Sequence, residues 1–158
     1  MSQVKIKIDI AKLEALQKQL KTRFSIKVGI LGADGSKNRK EGINNAELGA
    51  IHEFGSISRN IPRRSFLFEP INQKLPDVIR GLGKDYFNDL AAEDLEKFFK
   101  NLGLECEGIV DDAFATRGFG KWAPNTPATV RAKGSDSPLI DTGQLRRSIS
   151  SKVIKEKL

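Results

Sequence analysis

One cysteine, one histidine and no long apolar run set the first limits on this chain. Cys106 has no second cysteine to pair with, so no intramolecular disulfide forms and no cysteine-based metal site can be assembled. A reducing compartment fits that usage. His52 is equally isolated. The pair His52-Glu53 begins like a zinc-binding HExxH helix, but the second histidine that pattern needs four residues on is replaced by Ser56. A Ser–His–Asp triad would have to use the same His52, and no GxSxG turn is present to offer a nucleophile. No apolar stretch approaches the roughly 20 residues that cross a bilayer. The start, MSQVKIKIDI, lacks the uninterrupted apolar segment of a secretion signal. The chain is therefore expected to be made in the cytoplasm and to have no membrane contact.

Phosphate and calcium loops fail on the same kind of detail. In GILGADGSKN, Ser36 precedes Lys37, whereas a Walker loop requires lysine and a hydroxyl residue directly after its last glycine. Asp34, Ser36 and Asn38 are spaced like the start of a calcium loop, but Arg39 stands at the turn glycine and Asn45 at the terminal glutamate. The neighbours Asp111–Asp112 and Glu93–Asp94 occupy successive helical positions, point in different directions and read as a solvated acidic face. No catalytic, cofactor-binding or metal-ligating residue is assigned, and the chain is not expected to be an enzyme.

What is present is one domain's worth of sequence, residues 1–158, with a 39% hydrophobic fraction and an uneven charge of +7. Residues 1–40 carry ten Lys/Arg against three Asp/Glu, residues 41–80 five against five, residues 81–117 four against nine, and residues 118–158 eight against three. Basic ends around an acidic middle can bind nucleic acid, bind copies of the same chain head to tail, or remain a solvated surface.

Hydrophobic spacing indicates an α+β fold: a small mixed or antiparallel sheet packed against two or more helices, with irregular Gly/Pro-rich loops. Val4, Ile6, Ile8 and Ile10 alternate as in a strand, and Leu13, Leu16 and Leu20 then form the stripe of a helix over residues 11–23. This basic amino-terminal strand and helix (1–23) lead to a second strand over Phe24–Leu31. Residues 32–45, glycine-rich and almost without apolar side chains, are expected to form a mobile loop. Asn44 with Glu47 resembles a capping box, opening a short helix that ends at Gly55 and gathers Leu48, Ile51 and Phe54 on one face. Pro62 starts a new element, and a turn or two of helix over Ser65–Lys74 is expected to break or kink at Pro76.

The main helical region runs from about residue 78 to Arg117. Gly81, Gly83 and Gly103 each cost roughly 1 kcal/mol relative to Ala in a helix interior, so two helices broken near Ala91–Glu93 are expected. The tail is expected to be irregular after Arg117, with a polar loop at Lys133–Ser137. One helical turn capped by Thr142 and carrying Leu145 follows, and Ser148–Lys155 reads as an edge or final strand.

Two stretches carry more than fold. In Ile61-Pro62-Arg63-Arg64-Ser65-Phe66-Leu67, a proline fixes the backbone beside two arginines and apolar anchors, the composition of an interface. In GKWAPNTPATVRAKG and PLIDTGQLRRSI, Trp122 pins a Pro-bounded segment, and Arg146-Arg147 end a fixed corner. Pro62, Arg63, Arg64, Phe66, Trp122, Arg146 and Arg147 are thus the interface candidates, with the arginines facing acidic partners.

In this order the stretches resemble the neck or tail-completion proteins of long-tailed bacteriophages, relatives of phage virion-morphogenesis and minor tail proteins. The family pattern of a small-residue helix ending in EFG, then IPxRxFL and a long helical region, is matched by Ala46–Gly55, Ile61–Leu67 and residues 76–117. Its later G–W–pL–pxT–xxK and LIDTGxLRxSI elements are matched by Gly120–Pro124 with Thr126–Lys133, and by Leu139–Ile149. Ala123 stands where relatives often carry a larger residue, and the motifs do not reach Val4–Arg23.

The resemblance implies a noncatalytic virion protein that forms a ring at the head–tail junction or completes the head-proximal end of the tail. Its implied partners are copies of itself, adjoining head-completion, tail-terminator or tail-tube proteins, and DNA passing through the ring without sequence recognition. The alternatives from the residues alone are a basic nucleic-acid-binding module and a small hydrolase using His52.

Overall fold

Alternation of apolar and polar residues makes two strands, far apart in the sequence, that pair with each other. The computed structural model describes residues 10, 14 and 17, and residues 21–36, 42–83 and 94–157. Strand β1 (Thr22–Ile30) and strand β2 (Ile149–Lys157) form an antiparallel ladder from Thr22↔Lys157 to Ile30↔Ile149. Directly opposed residues share a face. Phe24, Ile26, Val28 and Ile30 therefore line the inner face with Val153 and Ile149, and Arg23, Ser25 and Lys27 are exposed on the outer one.

The expected helix to Arg23 stops short of that residue, because Thr22 and Arg23 already belong to β1. The expected strand Val4–Ile10 lies outside the described residues except for Ile10, which is helical and exposed.

Between the strands run α1 (Ala33–Ser36), α2 (Asn45–Phe54), α3 (Phe68–Gly81), α4 (Leu95–Ala115), α5 (Pro127–Lys133) and α6 (Gln144–Arg147). This is an α+β fold, among the described residues a two-stranded antiparallel sheet backed by helices. The long helix α4 packs on both strands and on α3. Its buried stripe is Gly103, Cys106, Ile109, Val110, Ala113 and Phe114, spaced by three and four as the sequence indicates. Phe114 meets Phe66 with ring centroids 5.4 Å apart and Trp122 edge-on at 5.6 Å, forming the centre of the core with Val110 and Leu145. Burying each of these aliphatic or phenyl side chains contributes about 1.5–3 kcal/mol. Phe99 stacks flat on Phe24 of the sheet at 5.4 Å.

Gly103 sits inside α4 without interrupting it: its α-carbon faces β2 so closely that a Cβ there would lie 2.6 Å from Ser151 Oγ, so glycine lets helix meet sheet. Three expectations change. Pro76 does not end α3, which continues to Gly81. Proline removes the hydrogen bond to the carbonyl four residues back, at Asn72, and both residues are exposed, so water can serve that oxygen. Part of the expected loop 32–45 is ordered as the turn α1 and as the buried first residue of α2, Asn45. The segment expected to be irregular holds α5, started by Thr126 with Pro127 at its first position and ended by the left-handed Gly134. The expected break at Ala91–Glu93 lies outside the described residues, and α4 begins at Leu95 with Asp94 as cap.

Candidate protein-docking surface

Helix α2 begins as its sequence indicates. Asn44 Oδ1 accepts from Glu47 N–H at 2.8 Å, and Glu47 Oε2 accepts from Asn44 N–H at 2.9 Å. The face it turns inward is unusual in composition: the buried residues are Asn45, Gly49 and Glu53. Gly49 permits the contact, since a Cβ there would lie 2.5 Å from Ile30 Cδ1 and 3.5 Å from the Phe66 ring. Leu48 and Ile51 are left half-buried, and Phe54 is 75% exposed. The expectation that Leu48, Ile51 and Phe54 share one packing face is thereby corrected, because the inward stripe lies one residue around.

Glu53 explains why the polar face goes in. Helix α3 has Leu67 at its cap position, which offers no side-chain acceptor, so its first N–H groups need one from elsewhere. The Glu53 carboxylate supplies it, accepting from the N–H of Phe66 at 2.8 Å, Leu67 at 3.0 Å and Phe68 at 3.2 Å, and from the Ser65 hydroxyl at 2.5 Å. Ser65 Oγ in turn accepts from Glu69 N–H at 3.0 Å. A negative charge at a helix amino terminus also meets the favourable end of the helix dipole.

The arginine segment was expected to face partners, and half of it faces inward. Arg64 is 7% exposed; its Nε donates to Ala123 O at 2.8 Å and its Nη2 to Pro124 O at 2.9 Å. Burial holds its pKa below the ordinary arginine value. Phe66 is wholly buried, and Trp122 Nε1 donates to Ser65 O at 3.0 Å while its ring covers Phe114. Arg64, Phe66 and Trp122 are therefore corrected from surface contacts to internal ties between the α2–α3 connection and the loop 117–126.

Pro62 and Arg63 are exposed; Arg63 Nε donates to Glu53 O at 3.1 Å and Nη1 pairs with Glu69. Arg146 grips Asp111 with two nitrogens, which lowers the Asp111 carboxyl pKa and raises that of Arg146, so Asp111 is more than a solvated acid. Arg147 is exposed and donates to Thr142 O at 3.0 Å.

Sequence reasoning missed the surface that results. Phe54, Phe68 (67% exposed) and Ile79 (47%) line an open groove of about 570 Å³ with Leu67, Ile71 and Leu75. Beside it projects a tight turn in which Ser56 and Ile61 exchange backbone bonds at 2.9 Å and Asn60 N–H reaches Ile57 O. This turn holds Ile57 fully exposed. The one signal available was the lack of a local cap for α3, which demanded that a remote acceptor displace apolar residues from the inner face of another element.

Set against models of protein families, against curated proteins and against solved structures, the chain matches none. Among the described residues no group of three or more His, Cys, Asp or Glu is placed to hold a metal, and no helix is long and apolar enough to cross a membrane. Cys106 is 3% exposed, and burial, followed by Glu105 and Glu107, pushes its thiol pKa up, which disfavours the reactive thiolate.

Proposed function

We propose that this chain is a noncatalytic assembly subunit of a long-tailed phage virion, a neck or tail-completion protein that forms a ring through which head and tail join. The observation that carries the reading is the apolar groove between α2 and α3, flanked by the Ile57 turn. Folding leaves Phe54, Phe68 and Ile79 in water along the groove, and Ile57 in water beside Phe54. Contiguous apolar surface of this kind marks a contact site for another protein. Pro62 and Arg63 line a neighbouring hollow with Phe54 and Ile57, so the docking role assigned to the IPRRSFL segment passes to them and to the residues that the segment positions.

Copies of the same chain and adjoining head-completion, tail-terminator or tail-tube proteins are the proposed partners, and DNA passes without being read. Unlike surfaces at the two sides of a subunit give heterologous contacts that close into a ring. Removing the chain from an assembling phage should leave separate heads and tails when particles are imaged by electron microscopy. Joined, infectious particles would contradict the reading.

A second reading, a basic nucleic-acid-binding module, draws on the outer face of the sheet. Arg23, Lys27 and Lys152 are exposed there, with Glu156 opposite Arg23. Phosphate-driven binding weakens steeply with salt. A duplex affinity that persists in the micromolar range at physiological salt and falls with a slope of several charges would favour this reading over the first.

A further inference from the structure

Arg64 lies at the edge of a second, separate cavity of about 230 Å³ enclosed by α2, α5 and the segment 139–145, with His52, Asn125, Thr129, Lys133 and Asp141 around it. Two cations converge here with little to balance them. The Arg64 guanidinium has five N–H donors. Nε and Nη2 are held by two carbonyls, and Nη1 makes no hydrogen bond with a described residue. Lys133 Nζ donates to Ser137 O at 2.9 Å, one of its three hydrogens. Among the described residues neither cation has a carboxylate within 4 Å, and the only acid lining the cavity is the exposed Asp141.

Burial lowers the pKa of both cations, and in Lys133 the Arg64 charge adds to that while Asp141 opposes it. Charges withdrawn from water in this way are costly unless an opposite charge joins them. Carbonyl oxygens supply only partial charge.

We propose that this cavity is a binding site for one small oxyanion, a phosphate or carboxylate group, seated between Arg64 and Lys133 with Thr129 and Asn125 as neutral hydrogen-bonding neighbours. The planar guanidinium suits an oxyanion's paired oxygens, and the ammonium adds a point charge. Asp141 is the natural competitor at the rim, repelling an anion that enters. The site is distinct from the apolar groove, and the proposal stands whether or not the chain assembles into a ring.

The test is thermal unfolding of the full chain with inorganic phosphate or acetate added, against sodium chloride at matched ionic strength. The variants are Lys133→Gln and Asp141→Asn, with Arg64→Lys as a third. A ligand that binds only the folded state raises the unfolding midpoint in proportion to its saturation. Expected is a midpoint rise with at least one oxyanion beyond that in chloride. Affinity should weaken on the order of tenfold in Lys133→Gln and tighten in Asp141→Asn, a tenfold change corresponding to about 1.4 kcal/mol.

The stronger of the phosphate and acetate arms names the source of the group. Equal midpoints in chloride and both oxyanions, or Lys133→Gln binding as tightly as the parent, would overturn the site. Because Lys133 and Asp141 lie on the cavity's edge, their variants report even where Arg64→Lys fails to fold.

Discussion

Helices α2 and α4 obey the same geometry and use it oppositely. In α4 the apolar stripe turns inward and, apart from the exposed Leu104, mostly polar residues turn out, so Val110 and Phe114 build the core while Asp111 is left to pair with Arg146. In α2 the buried stripe is Asn45, Gly49 and Glu53, and Phe54 is left in water. The difference follows from where hydrogen bonds are owed. Helix α4 has its own cap in Asp94, whose side chain accepts from Lys97 N–H at 3.0 Å, whereas α3 borrows its cap from α2. Satisfying buried N–H groups outweighs the burial of one phenyl ring, because each unpaired buried donor costs about 1–3 kcal/mol. A helix recruited to serve its neighbour's amino terminus exposes apolar surface, and that surface is what a partner can use.

Substitutions on the two helices should separate these roles, in descending order of effect. Phe114→Ala, in α4, removes a ring packed against Phe66 and Trp122 and should cost about 3–5 kcal/mol in urea unfolding. Glu53→Ala, in α2, leaves the N–H groups of Phe66 and Leu67 without their acceptor and should cost about 2–3 kcal/mol. A loss below about 0.5 kcal/mol would show that water replaces the carboxylate and that the α2 inversion has another cause.

Asp111→Asn should cost less than about 1 kcal/mol, since the pair with Arg146 is largely solvated. Its effect depends on pH with a definite sign. Arg146 lowers the folded-state pKa of Asp111, so the pair's stabilisation is present above the unfolded carboxylate value of about 4 and drains as pH falls through the lower folded value. Parent and variant should therefore converge in stability at the acid end of a pH series. A gap that widens there would reverse the assignment. Phe54→Ser, on the exposed side of α2, should change stability by no more than about 0.5 kcal/mol.

Legibility in the sequence tracked how local each cause was. The alternation of Phe24, Ile26, Val28 and Ile30, the Asn44–Glu47 capping box and the stripe through Phe114 are short-range patterns, and each produced the element it indicated. Helix α5, the seven residues Pro127–Lys133, carries no such stripe, since it buries none of its residues, and its cap, proline and terminal glycine look in sequence like loop punctuation. Pro76 carried a stop signal that an exposed turn of helix overrides.

The candidate surface was harder to read because its causes span the chain. Arg64 and Arg63 are adjacent, and only the carbonyls of Ala123 and Pro124, some sixty residues later, decide that one turns in and the other out. Glu53 likewise gains its meaning from N–H groups thirteen to fifteen residues away.

The central claim is that the water-exposed phenyl rings of α2 and α3 fit protein to protein, and the double variant Phe54→Ser with Phe68→Ser tests it most directly. Supplied to a phage lacking the parent gene, the variant should fold with near-parental stability yet leave heads and tails unjoined in electron micrographs. Joined, infectious particles at parental yield, from a variant confirmed to be folded, would contradict the account.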